Sequence, residues 1–156
     1  MKFYRIARAR FSAPATAFSG EGAAKFPHRW THAASDLRGV YGSDSLALAC
    51  LECLVHIRPL PRVFPKSVYY SVDLPDALLE VLPEKKLPPD WGSPAPSLAA
   101  RDLGTEFLRS RRAVGLVVPS AIQPVGLNVL INPVHPSFSL DWVTGPFPYD
   151  YDTRLE

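Results

Sequence analysis

Glu52 interrupts an otherwise apolar run, Leu46-Ala47-Leu48-Ala49-Cys50-Leu51-Glu52-Cys53-Leu54-Val55. A carboxylate in such company is costly unless it is paired, protonated or open to a cavity. It could lie on a narrow solvent stripe. Its neighbours one turn away, Leu48, Ala49, Val55 and His56, make no continuous polar stripe. The sharper reading is a carboxylate at the wall of a pocket, where strained electrostatics tend to mean function. Arg29 stands in Pro27-His28-Arg29-Trp30, at the end of a long irregular stretch. A loop arginine can fork onto phosphate oxygens; the competing reading is a surface arginine stacked on Trp30. Ser120 follows an apolar strand pattern directly, in Val118-Pro119-Ser120-Ala121-Ile122. No G-x-S-x-G surrounds it, so a turn hydrogen bond, or one to a ligand, is expected rather than nucleophilic attack.

Other patterns carry less. Cys50-Leu51-Glu52-Cys53 matches C-x-x-C, but a thioredoxin-type cysteine needs a helix N-terminus to lower its pKa. A zinc site needs two further ligands, and no second pair exists. Both residues read as core cysteines. His28 and His32 are four apart without a helix to align them, and no metal site is expected. Gly20-x-Gly22 lacks the third glycine and the strand–helix setting of a dinucleotide fingerprint.

The elements that must position these residues follow from periodicity and turn chemistry. Phe3 to Ala7 suits a short strand, and Val40-Tyr41 a second, closed by Gly42. Ser12 to Trp30 has no regular period and is read as a loop, long enough to suggest a functional one. Ser43 or Ser45 can cap the helix that begins at Leu46 and ends near His56, before Pro59. Apolar on every side, it is predicted to be the central helix of the core. Ser67 to Leu74 alternates as a strand. Asp76 to Leu82 is read as a helical turn or two, and the proline-rich stretch from Pro83 to Pro96 as a solvated connection. Ser97 to Ser110 suits a helix with Leu98, Phe107 and Leu108 facing in. Ala113 to Val118 and Leu127 to Ile131 are apolar and proline-bounded, as buried strands are. Ser137 to Val143 is expected as the last strand. The sum is an α+β domain over residues 1–156.

Composition narrows the function classes. The chain has 156 residues, 47% of them hydrophobic and 21% charged, enough for one domain with its own core. Its 17 basic and 15 acidic residues leave a formal charge of +2, too even for a protein that chiefly grips phosphate backbones. No apolar run approaches the roughly 18 residues of a membrane span, and the start has no stretch that resembles a signal peptide. A soluble, cytoplasmic domain is expected. The 17 prolines are about twice the usual share of roughly 5% and favour short elements joined by turns.

Arg29, Glu52 and Ser120, in this chain order, resemble the RES-domain family, toxins of bacterial toxin–antitoxin pairs. The likeness includes Tyr4-Arg5-Ile6, Phe18-Ser19-Gly20-Glu21-Gly22-Ala23, Val40-Tyr41-Gly42-Ser43 and the Ala47–His56 run. It continues through Val118–Ile122, Asn128-Val129-Leu130-Ile131-Asn132-Pro133-x-His135-Pro136 and Asp152-x-Arg154-Leu155. The chain departs from the family at Pro27-His28, where glycine usually precedes the arginine, and at Thr31, where asparagine usually follows the tryptophan.

The resemblance implies an ADP-ribosyltransferase-like fold, with two small sheets around a cleft that takes NAD, and flanking helices. It implies breakage of the nicotinamide–ribose bond by hydrolysis or phosphorolysis, with NAD as substrate and no metal. Glu52 would then stabilise positive charge on the ribose, Arg29 would pair with the pyrophosphate, and Tyr41 would pack on the nicotinamide. Ser120 would hydrogen-bond the ligand or position Arg29. It further implies a cognate Xre-type helix-turn-helix antitoxin, to which DNA contacts are left, and a toxin dimer within that complex. Two alternatives stay open: transfer of ADP-ribose to a protein from the same cleft, and an inactive antitoxin-binding scaffold, suggested by the altered loop at Pro27-His28.

Overall fold

Lys2–Arg8 forms the first strand (β1) of a computed structural model that describes residues 1–57, 64–95 and 97–155. It lies beside Ser67–Asp73 (β3), antiparallel from Lys2 against Asp73 to Arg8 against Ser67. Val40–Ser43 (β2) pairs with Leu127–Ile131 (β6), and β6 with Gly115–Pro119 (β5). Leu79–Val81 (β4) runs parallel to β5 at one edge, and Val143–Tyr149 (β7) borders β3 at the other. The spatial order is β4-β5-β6-β2-β1-β3-β7. An α+β architecture is therefore found, consistent with an ADP-ribosyltransferase-like fold. Among the described residues, hydrogen bonds join seven strands into one sheet, where two small sheets were expected. The seam between the two halves is slight: β1 and β2 are paired only at Tyr4 and Ser43.

Side chains alternate across this sheet, as pleating requires. Phe3, Val72, Val117, Val129 and Ile131 join Phe18 and Tyr70 in the cluster on one face. Leu116, Val118 and Leu130 point the other way and pack under the helix Leu98–Ser110 (α4) through Phe107 and Leu108. Leu98, expected to face in, is 67% exposed because it occupies the first turn on the outer side; Ala100 and Gly104 are buried instead.

The helix bearing Glu52, Leu46–His56 (α3), begins at Ser45, whose hydroxyl accepts from the Leu48 amide at 3.1 Å. It is not the central helix of the core. Leu48, Ala49 and Cys50 are buried, whereas Leu51 and Val55 are each more than 40% exposed. The helix lies on the sheet by one face, sharing a small cluster with Ile6 and Tyr151. Pro59, named as its stop, lies outside the described residues.

Three further segments differ from expectation. The stretch Ser12–Trp30 carries two short helices, Pro14–Ala17 (α1) and Glu21–Lys25 (α2). Gly20 precedes α2 at φ +72°, and a Cβ there would meet the Gly39 backbone at 2.7 Å, so the turn demands glycine. Asp76–Leu78 is a single 3-10 turn, and the chain then extends into β4. Leu140–Trp142 is likewise a 3-10 turn, and the last strand starts only at Val143. Pro146 and Pro148 argue against a strand from sequence alone, yet an edge strand tolerates prolines because one side needs no donors.

Candidate active site

Between α3, the β1–β2 seam and the segment 27–30 opens a cavity of about 910 Å³, at the upper end of pockets that take small molecules. Arg29, Tyr41 and Glu52 all line it. These three predicted site residues, separated in sequence, are thus brought to one cleft.

Glu52 is placed by the strand–helix connection. Ser43 ends β2, Ser45 caps α3, and about two helical turns carry the chain to Glu52. Asp44 ties this start to β6: its amide donates to the Leu127 carbonyl at 2.9 Å, and its carboxylate accepts from the Leu127 amide at 2.8 Å. The Glu52 carboxylate is half-buried and accepts two hydrogen bonds on one oxygen. Ser120 Oγ donates to Oε1 at 3.1 Å, and Asn128 Nδ2 donates to the same Oε1 at 2.6 Å. Oε2 has no hydrogen bond among the described residues.

Ser120 is 4% exposed, and its oxygen accepts from the amides of Ile122 and Gln123 at 3.1 and 3.2 Å. Its single proton goes to Glu52. The structure thus gives Ser120 a partner other than the ligand or Arg29 expected from the resemblance. The serine-turn geometry after β5 directs the hydroxyl at α3.

Arg29 projects from a tight turn closed by the His28 amide donating to the Thr31 carbonyl at 2.9 Å. Helix α4 clamps this turn. Arg101 Nε donates to the His28 carbonyl at 3.2 Å, and Thr105 Oγ1 accepts from the His32 amide at 3.0 Å. Arg29 does not stack on Trp30, which is 2% exposed and stacks on Trp91 with ring centroids 6.0 Å apart. Instead Arg29 Nη1 donates to the carbonyls of Trp91 and Ser93, at 2.6 and 2.9 Å. The proline-rich connection is therefore more than a solvated linker: its backbone holds the guanidinium. Pro96, its expected end, lies outside the described residues.

Tyr41 lies close enough to Arg29 and Glu52 for both charges to act on its hydroxyl, which also lies 3.3 Å from Thr31 Oγ1. Burial pushes the phenol far above its ordinary pKa, so it stays a neutral group. Its ring stands 5.3 Å from that of His28, tilted by 45°. His32, four residues on, faces away and bonds Asp102 at 2.7 Å.

Sequence reasoning by residue chemistry passed over Arg5 and Asn128, and weighed His28 only as a metal ligand; all three also line the cleft. Arg5 is part-buried on β1; its Nε and Nη1 donate to the carbonyls of Ala17 and Tyr41, each at 3.0 Å. Burial lowers its pKa from the ordinary arginine value, and no carboxylate pairs with it among the described residues. The available signal was an arginine in the middle of a strand whose even-spaced neighbours are apolar. Cys50 is buried as expected, but Cys53 is half-buried and forms part of the cleft wall.

Residues 2–152 match the RES domain. The chain is 35% identical over 138 residues to "Toxin Res" of Photorhabdus laumondii, covering 88% of this chain and 85% of that protein. It is also 35% identical over 141 residues to the "Prs ADP-ribosylating toxin" of a Sphingobium species, covering 86% and 83%. In fold it is similar to a chain of the M. tuberculosis MbcT-MbcA toxin-antitoxin complex, with a TM-score of 0.72 at 20% identity over 99% of this chain and 85% of that one. A match that begins in β1 and ends beyond β7, supported by relatives of this identity and coverage, establishes that the chain belongs to the RES-domain family.

Proposed function

We propose that this protein is the toxin of a bacterial toxin–antitoxin pair and acts by breaking the nicotinamide–ribose bond of NAD. The observation that carries the reading is the Glu52 carboxylate, held at the cleft wall by Ser120 and Asn128 through Oε1 alone. Loss of nicotinamide leaves positive charge on the ribose, and a fixed carboxylate oxygen stabilises that charge without reorganising. The same oxygen can instead hold ribose hydroxyls or orient the incoming water or phosphate. Arg29 and Arg5 supply two guanidiniums to the cleft whose hydrogen bonds among the described residues are all to backbone carbonyls. Such cations suit a pyrophosphate between them. Tyr41 and His28 offer ring faces for the nicotinamide.

The relatives named as toxins, and the fold shared with a chain of a toxin–antitoxin complex, support a proteinaceous antitoxin as partner. An Xre-type helix-turn-helix partner fits a toxin whose own charge is only +2. A toxin dimer within that complex and a cytoplasmic site of action belong to the same reading. The second reading, transfer of ADP-ribose to a protein, is favoured by the Sphingobium relative's name. Both begin with the same bond cleavage.

The test is to incubate the purified, antitoxin-free protein with NAD and to follow free nicotinamide with and without phosphate. Steady release is expected, and phosphate dependence selects phosphorolysis over hydrolysis. A labelled protein band would select transfer. Glu52→Gln, which keeps size and removes charge, should lower the rate at least about 100-fold while circular dichroism stays unchanged. A folded wild type that leaves NAD intact and labels no protein would point to the scaffold alternative.

A further inference from the structure

Two donors converge on one oxygen of Glu52, and only one of them, Ser120, belongs to the trio on which the family resemblance was read. The other, Asn128, is in the middle of the sheet. In register it lies opposite Ser43 of β2 on one side and Val118 of β5 on the other. Ser43 is 3% exposed, and its hydroxyl donates to Asn128 Oδ1 at 2.7 Å. The two ends of the amide are therefore committed. A carboxylate only accepts, so the amide's NH2 end must face Glu52, and its oxygen must face the Ser43 hydroxyl. The contact at 2.6 Å is short for N–H···O, as expected of a charge-assisted bond.

Resting on the proposed NAD-cleaving function, we propose that Asn128 is a positioning residue for Glu52. It pins Oε1, so that the carboxylate cannot swing about its last bond and Oε2 is kept toward the cleft. Ser43 sets the amide's direction, and the sheet register sets Ser43. Ser120 approaches the same oxygen from the end of β5. The carboxylate is thus held from two strands, while its helix is anchored by a third contact at Asp44. A ribose meeting Oε2 finds an oxygen whose place was decided before binding, which is what a preorganised electrostatic group requires.

Asn128→Asp is the discriminating substitution. It keeps the shape and the acceptor for Ser43, but replaces the donor facing Glu52 with a second acceptor. Turnover of NAD at pH 7.5 should fall about 10–100-fold, the range typical of partners that orient a functional ligand. KM should stay within about twofold, because ground-state binding rests on the arginines and rings. A second measurement needs neither turnover nor that variant. In the wild-type protein one side-chain amide proton of Asn128 should resonate downfield and exchange slowly. In Glu52→Gln it should move back upfield. Wild-type turnover by Asn128→Asp, or an amide resonance indifferent to Glu52→Gln, overturns the assignment. Should the wild type leave NAD intact, the NAD reading fails on its own, and the amide resonance still decides whether Asn128 holds Glu52.

Discussion

At the scale of single residues, His28 shows how the cleft's electrostatics reach stability. Its pKa is lowered, first by burial and then by the positive neighbourhood of His56 and Arg5, with Arg101 adding to it. As pH falls through about 6.5, the unfolded chain takes up a proton on this side chain before the folded one does. The unfolded state then binds more protons, and stability falls with pH, by no more than about 1.4 kcal/mol per unit from this group. Above that pH both states are neutral and the effect vanishes. Urea unfolding at pH 7.5 and 5.5 should show the wild type losing more stability on acidification than His28→Asn. Equal losses would place the titrating group elsewhere. His28 was legible as a departure from the family's glycine, but its contact with Tyr41 was not. That contact depends on a turn whose shape is imposed from α4, about seventy residues later in the chain.

At the scale of elements, α4 and the Arg29 turn form one unit. Gly104 lies where α4 crosses Trp30, and a Cβ there would fall 2.0 Å from the Trp30 carbonyl oxygen. Neither backbone can yield without disturbing the Thr105–His32 and Arg101–His28 bonds. Gly104→Ala should therefore cost at least about 3 kcal/mol, through overpacking against backbone, and lower Tm by roughly 6 °C or more. A thermal scan that finds the variant as stable as the wild type would mean that α4 shifts freely. In sequence, a glycine inside an amphipathic helix reads only as a local weakness. The reverse holds for α3. Its apolar run announced a helix with the right bounds, with Ser45 one of two caps offered, but its depth was misjudged because a run without polar punctuation does not say which side meets the sheet. Exposure of Leu51 and Val55 is decided by what packs there, not by their own hydrophobicity.

At the scale of the whole molecule, the sheet's order predicts where the fold is firmest. Strands β5, β6, β2, β1 and β3 have a neighbour on each side, whereas β4 and β7 are edges. Native-state amide exchange should be slowest in the interiors of β5, β6 and β3, and markedly faster in β4. Uniform protection across all strands would contradict a sheet that opens from its edges. The single pair at Tyr4 and Ser43 marks the seam on which the cleft sits. Local chemistry alone was enough to announce the short proline-bounded strands, a serine-capped helix starting at Leu46, and a carboxylate out of place in its apolar run, because periodicity, capping and charge are properties of neighbours in the chain. The tertiary structure alone decided that seven strands make one sheet, that Ser120 serves Glu52, that the backbone of a proline-rich connection holds Arg29, and that Arg5 and Asn128 belong to the cleft. These depend on strand order and register, which join residues far apart in sequence and are selected by the packing of the entire chain.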